Sequence, residues 1–282
     1  MNSLWSDNVQ GIFTLYLSRK LRFDDMFFKQ YRKLFDLDQD KELKILEIGC
    51  GPGALAESLH RWYPKAHITG IDRDTKFIEF AKDMVPDITF VEGDATDLPF
   101  ADNTFDVTIS NTVQEHIEPS AFWGEQRRVL KPGGVCLCLS TRKNIKCYAG
   151  CLAATAAETA FWSNRPNDQD ETEKYQVCRF PMSEAEIPAS MEKHGFVNVS
   201  TGYAIIDLTP DDPKYPAPMA EAMIEADRQC ALEAIRLTHS ENAESVLSAV
   251  NSKFDKRIRL YRAGIKQWDT TTTVIMVIRG VK

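Results

Sequence analysis

Lys44-Ile45-Leu46-Glu47-Ile48-Gly49-Cys50-Gly51-Pro52-Gly53 is the stretch whose reading decides the fold. Its first half, KILEI, reads as a short buried strand, and a helix is expected to begin near Gly53. Between them, three glycines at alternate positions let the backbone turn tightly and let a ligand approach without Cβ interference. The helix beyond offers unpaired N–H groups at its N-terminus. The spacing at Gly49, Gly51 and Gly53 is G-x-G-x-G, whereas a dinucleotide pyrophosphate is seated by G-x-G-x-x-G. Ala54 satisfies the looser form of that fingerprint, so spacing alone leaves a nicotinamide cofactor open. Asp72 closes the next expected strand, 23 positions after Gly49. An acidic side chain about 20 positions on can accept both ribose hydroxyls, which suits any adenosine-bearing cofactor.

Outward from this loop, short β-rich runs alternate with helical patterns, the signature of a parallel sheet covered on both faces. Strands are expected at His67–Asp72, Ile88–Glu92, Phe105–Ser110 and Val135–Ser140. The intervening helices are Asp74–Val85, with Phe77, Ile78, Ala81 and Val85 on one face, and Ala121–Leu130. Lys131-Pro132-Gly133-Gly134 reads as the stop of the latter, with glycine as its C-cap. From Thr141 to Met182 the pattern loosens and includes a loop-like Asn-Arg-Pro-Asn-Asp run. Ser183 to Glu186 fits a capping box opening a helix that Gly195 ends. Late strands are expected at Phe196–Ile206 and Thr271–Arg279. Between them lie a proline-punctuated loop (Pro210, Pro213, Pro216, Pro218) and two helices. One should bury Met219, Met223, Ala226, Cys230, Ala234 and Leu237; the other Ala243, Val246, Leu247, Val250 and Phe254. The first forty residues also look helical through Ile12, Leu15, Tyr16, Arg19 and Phe23. The simplest organisation is a helical cap segment at 1–40 and one α/β domain at 41–282, with insertions near 141–182 and 210–264. The three added segments are expected to gather over the carboxyl edge of the sheet.

The 282 residues are 43% hydrophobic and 27% charged, an ordinary globular composition that excludes disordered and fibrous classes. With 34 basic against 41 acidic side chains the net charge is −7. That balance argues against an obligate nucleic-acid or anionic-membrane binder. No apolar run has the length of a bilayer span, and residues 1–11 lack the basic and apolar blocks of a secretory signal. Seven cysteines without a paired framework suit a reducing, cytoplasmic setting.

From Lys44 to Leu139 the chain resembles the class I S-adenosylmethionine-dependent methyltransferases, in particular the small-molecule branch. Five blocks in order carry the resemblance: ILEIGCGPG (Ile45–Gly53), GIDRD (Gly70–Asp74), EGDATDLPF (Glu92–Phe100), FDVTISNTVQEHI (Phe105–Ile117) and RVLKPGG (Arg128–Gly134). The resemblance implies a Rossmann-like seven-stranded sheet, mostly parallel with the last strand antiparallel, plus helical caps. It implies S-adenosyl-L-methionine as cofactor and methyl transfer to a small-molecule acceptor. Position by position, it implies that Glu47 and Gly49, Gly51 and Gly53 hold the methionine moiety and that Asp72 takes the ribose hydroxyls. Arg73 then flanks the adenosine, Asp94 caps the adenine amino group, Ala95 donates a backbone N–H to the ring, and Asn111 lies beside the methionine end. The alternatives are a non-catalytic or regulatory methyltransferase-like protein that binds the same cofactor, and an NAD-dependent oxidoreductase. The latter shares the glycine loop and Asp72 but leaves Asp94 and RVLKPGG unexplained.

His116, after the fourth strand, is the candidate general base, because its ordinary pKa lies near neutrality; the competing role is a hydrogen bond that steadies the loop. Related quinone-pathway O-methyltransferases carry an extra Glu ahead of a Glu-His pair, supporting a metal. Here Thr112 stands at that position, and no metal site is expected. Asp/Asn-Pro-Pro-Tyr/Phe is missing after the fourth strand, where Ser110-Asn111-Thr112-Val113 stands, which argues against exocyclic amine methylation of nucleobases. Cys147 and Cys151, spaced as on one helix face, with Cys178, read as buried small residues before soft-metal ligands. Of Trp5, Tyr16, Trp123, Phe161, Trp162 and Trp268, most should be core and a few should line the acceptor pocket. The acidic run Asp168–Glu173 reads as a solvated loop.

Overall fold

In the computed structural model, residues 5–163, 175, 177–240 and 243–282 are described. The Asn-Arg-Pro-Asn-Asp run and the acidic run at 168–173 lie outside the described residues. A seven-stranded sheet organises the chain, built from β1 (Lys44–Ile48), β2 (His67–Asp72), β3 (Thr89–Glu92), β4 (Phe105–Asn111), β5 (Leu130–Cys147), β6 (Val197–Leu208) and β7 (Thr270–Val281). The order is β3-β2-β1-β4-β5-β7-β6. The first five strands pair parallel, and β7 runs antiparallel to both β5 and β6. The order reverses at β1 and β4, so their carboxyl ends open a crevice in which ligands bind in such sheets.

Helices cover the sheet as the apolar spacing requires. They are α1 (Trp5–Asn8), α2 (Ile12–Arg22), α3 (Phe28–Phe35), α4 (Ala54–Trp62), α5 (Thr75–Met84), α6 (Pro119–Val129), α7 (Ala156–Ser163), α8 (Glu186–Lys193), α9 (Ala217–Arg236) and α10 (Ala243–Arg262). The largest apolar cluster joins Ile45, Val107 and Leu137 of the sheet to Phe23, Tyr31 and Phe35 of the N-terminal region and to Leu59 and Trp62 of α4. On the other side Phe122 and Trp123 of α6 meet Cys136 and Cys138, both fully buried. Residues of that kind, removed from water, contribute about 1.5–3 kcal/mol each for the larger side chains.

Several elements depart from the sequence reading, each for a tertiary reason. α6 ends at Val129 with Leu130 already extended; Gly133, at φ +77°, lies within β5 and does not cap the helix. β5 runs seven residues past Ser140, because Lys143–Cys147 pair with the threonine-rich start of β7. The 183–186 capping box forms, with Ser183 N–H donating to Glu186 Oε2 at 2.7 Å and Glu186 N–H to Ser183 Oγ at 3.4 Å, yet regular helix starts only at Glu186. α9 does not keep one buried face: Met223 and Ala226 enter the main core while Ile224, Leu232 and Ile235 pack with α10, leaving Ala234 exposed. α10 keeps its predicted stripe, extended by Arg257. That guanidinium is fully buried, donating from Nε to Asp269 at 2.8 Å and from Nη2 to Asp211 at 2.9 Å.

All seven cysteines are free. Cys147 ends β5, exposed, and Cys151 sits in a 3-10 turn, so they share no helix face and Cys147 is not a buried residue. Among the described residues no three His, Cys, Asp or Glu side chains come together as a metal site, and no helix is long and apolar enough to cross a membrane.

Candidate active site

A cavity of about 500 Å³ opens at the carboxyl ends of β1, β2 and β4. Its floor is the glycine loop. Gly49 and Gly51 have φ of +66° and +51°, and a Cβ on Gly49 would lie 2.4 Å from Val113 Cγ2, so no larger residue fits there. Gly53, at φ +86°, does not line the cavity: a Cβ there would meet Ala81 and Phe90 at 3.0 Å. Gly53 gives the left-handed entry to α4 and close helix packing. Glu47, Gly49, Gly51, Asp72, Arg73, Asp94, Ala95, Asn111 and His116 all line the cavity.

Asp72 braces the loop that it faces. Its Oδ2 accepts the Gly51 N–H at 2.8 Å and its Oδ1 accepts the Asp74 N–H at 2.9 Å. Burial raises its pKa, and those two N–H donors act in the opposite direction. Glu47, on β1, is buried with Oε2 lacking any partner, and burial, then the charge of Asp72, push its carboxyl well above the ordinary range. Asn111 Oδ1 is likewise buried and unpartnered. Two orphaned acceptors in one cavity match a ligand that brings N–H or cationic groups to them. Asp94 makes the turn and faces the cavity together: its Oδ1 accepts from Thr96 N–H at 2.8 Å and Thr96 Oγ at 2.7 Å.

His116 sits in a 3-10 turn, its ring 4.9 Å from that of Trp5. Its Nδ1 accepts the Cys178 backbone N–H at 2.8 Å. A backbone N–H can only donate, so Nδ1 carries no proton and the neutral ring keeps its proton on Nε2. Burial lowers the pKa, and the neighbouring Glu115 opposes this. Two further bonds dock the same segment: Phe180 N–H to the Glu115 carbonyl at 2.9 Å and Gln114 Nε2 to the Phe180 carbonyl at 3.2 Å.

Sequence reasoning expected added segments over this edge but did not single out which of their side chains line the cavity. Gln10, Leu15, Arg19 and Phe23 come from the N-terminal segment, and Arg179 and Phe180 from the strap over His116. Arg19 had a signal, being a charged residue one turn beyond Leu15 on the buried stripe of α2. α1 is tied down by Asp74, which accepts from Ser6 N–H at 2.8 Å and Ser6 Oγ at 3.2 Å while capping α5. Among the described residues, none of 210–264 lines the cavity. That insertion buttresses α2 instead, Glu233 accepting the Gly11 N–H at 2.9 Å. Trp5 is the one tryptophan that reaches the site; Trp123 is core, and Trp162 and Trp268 are exposed.

Comparison with known proteins agrees with this geometry. The family model described as "Methyltransferase domain" matches residues 46–138. A ubiquinone/menaquinone biosynthesis C-methyltransferase of Desulfotalea psychrophila is 41% identical over 101 residues, covering 35% of this chain and 41% of that protein. A demethylmenaquinone methyltransferase of Staphylococcus aureus is 32% identical over 180 residues, covering 60% of this chain and 73% of the relative. The crystal structure of Haemonchus contortus phosphoethanolamine N-methyltransferase 2 with S-adenosyl-L-methionine aligns over 99% of this chain and 59% of its own, with a TM-score of 0.54 at 15% identity, a likeness of fold. The chain belongs to the class I S-adenosylmethionine-dependent methyltransferases.

Proposed function

We propose that this protein transfers a methyl group from S-adenosyl-L-methionine to a small-molecule acceptor in the cavity at the β1–β2–β4 edge. The observation that carries the reading is the pair of unpartnered buried acceptors, Glu47 Oε2 and Asn111 Oδ1, beside the Gly49–Gly51 turn and the Asp72 carboxylate. In this reading Glu47 faces the ammonium of the methionine moiety, with Asn111 and the Gly49 and Gly51 backbone beside it. Asp72 accepts from the ribose hydroxyls, Arg73 flanks the adenosine, Asp94 takes the adenine amine and the Ala95 N–H meets the ring. The relatives named for quinone-precursor methylation support a small-molecule acceptor. The net charge of −7 supports the absence of a nucleic-acid partner and, with the free cysteines, a cytoplasmic setting. We also take residues 1–40 as a cap on a methyltransferase domain at 41–282.

The sulfonium donor supplies an electrophilic methyl group, so the chain's task is alignment and exclusion of water. Holding two reactants in a near-attack geometry can contribute about 7–11 kcal/mol of the barrier. Trp5 and Phe180 add aromatic surface to the cavity lining. The bond from Cys178 supports a positioning role for His116, whose Nδ1 is occupied; as a general base it would have to release the strap first. The test is a methyl-transfer assay with labelled donor over a fractionated metabolite extract. Label appearing in a small molecule, absent with Asp72→Ala, is expected. Tight binding of S-adenosylhomocysteine with no acceptor-dependent turnover would leave a binding protein, and preference for NADH would overturn the reading.

A further inference from the structure

Three arginines line the cavity, Arg19, Arg73 and Arg179, and among the described residues none of them forms an ion pair. Elsewhere Arg61, Arg128, Arg142, Arg228, Arg257 and Arg262 are each matched to a carboxylate, while other arginines away from the cavity, such as Arg32 and Arg259, are exposed to water. Arg73 and Arg179 reach solvent, which satisfies them. Arg19 is half-buried. Burial, reinforced by the charge of Arg22 one turn on, lowers its pKa to about 9. Its side chain makes one long hydrogen bond, from Nη2 to Thr112 Oγ1 at 3.4 Å. A guanidinium carries five donors in a planar fork that matches a carboxylate. Leaving a half-buried guanidinium with one poor bond is unfavourable unless an anion completes it. Thr112 adds a second observation. It is β-branched yet holds φ +54°, with its N–H on the Leu139 carbonyl at 2.8 Å, and strain of this kind persists at ligand-binding positions.

We propose that Arg19 binds a carboxylate of the ligands in this cavity, borne by the methionine end of the donor or by the acceptor. The inference rests on the methyltransferase reading above. A charge-assisted bidentate contact corresponds to a loss of roughly tenfold to hundredfold in affinity when removed. Binding of S-adenosylhomocysteine and of its decarboxylated analogue is measured by calorimetry for the parent and for Arg19→Gln, Arg19→Lys and Thr112→Val. Octanoate and octanamide are then titrated into the S-adenosylhomocysteine-loaded proteins. Weakening of S-adenosylhomocysteine by tenfold or more in Arg19→Gln, with the decarboxylated analogue unchanged and partial recovery in Arg19→Lys, places the carboxylate on the donor. Unchanged S-adenosylhomocysteine with loss of octanoate but not octanamide binding places it on the acceptor. Thr112→Val keeps the guanidinium and should shift the same ligand by a smaller factor, which covers the case of a poorly folding Arg19 variant. Equal weakening of both members of each pair, or no change in any, overturns the proposal. Failure of the parent itself to bind S-adenosylhomocysteine would instead overturn the cofactor reading beneath it.

Discussion

Replacing Asp72 by Asn removes a charge and an acceptor from a carboxylate that the structure uses at both oxygens. Oδ2 holds the Gly51 N–H and Oδ1 the Asp74 N–H, at 2.8 and 2.9 Å. An amide has one acceptor oxygen, so its NH₂ must face one of those two donors. One backbone N–H is then left unmatched, at a cost of about 1–3 kcal/mol in stability. The ligand loses separately. If ribose hydroxyls donate to the ionised carboxylate, removing that charge-assisted bond costs about 1.5–3 kcal/mol, or roughly tenfold to hundredfold in Kd. Calorimetric titration of S-adenosylhomocysteine reads the second loss, and thermal unfolding reads the first, at roughly 2–4 °C per kcal/mol for a domain approaching this size. Repeating the titration with a 2′-deoxy analogue closes a double-mutant cycle, in which the effect of the substitution should shrink once the hydroxyl is gone. Should Asp72→Asn melt lower yet bind S-adenosylhomocysteine as tightly as the parent, Asp72 is a brace for the glycine loop and the ribose lies elsewhere.

Gly53→Ala forces a side chain into φ +86° and to 3.0 Å from Ala81 and Phe90; unfolding should show a loss of about 1–3 kcal/mol, while the folded fraction binds S-adenosylhomocysteine within twofold of the parent. Arg257→Met strands the Asp211 and Asp269 carboxylates in the interior and should lower the urea midpoint by the equivalent of about 3–5 kcal/mol. For His116, burial depresses the folded pKa, so the unfolded chain binds more protons as pH falls below about 6.5. That contribution to stability is intact above the unfolded value and is lost as pH drops from there through the folded one. Urea midpoints between pH 7.5 and 5 should therefore fall more steeply for the parent than for His116→Gln, and identical slopes would refute the assignment.

Local pattern reached far into this molecule because the ligand-cradling half is built from consecutive elements. Strand, glycine turn and helix at 44–62, with Asp72 and Asp94 at the next two strand ends, are fixed by short-range rules: apolar runs for buried parallel strands, glycine for positive φ, an Asp cap for α5. Gly53 shows the limit even there. Its spacing marks it as part of the motif, yet only the approach of Ala81 and Phe90 reveals the packing constraint on it.

What the chain order could not show is what meets across it. The length of β5 depends on β7, over a hundred residues later in the chain, because a strand continues as long as its neighbour offers N–H and C=O groups. α9 has two buried faces because it is packed from two sides, a condition that no single period encodes. The lid over the cavity joins residues 5–23 to 179–180 around His116, and the bond from Cys178 that sets the His116 tautomer spans 62 positions. The amino-acid sequence thus determined the sheet, its glycine cradle and its acidic strand tips, through interactions among near neighbours. Tertiary structure decided which side chains line that cradle, which proton His116 carries and that Arg19 faces the cavity without a counter-charge, because burial and hydrogen-bond partnership exist only once distant segments are brought together.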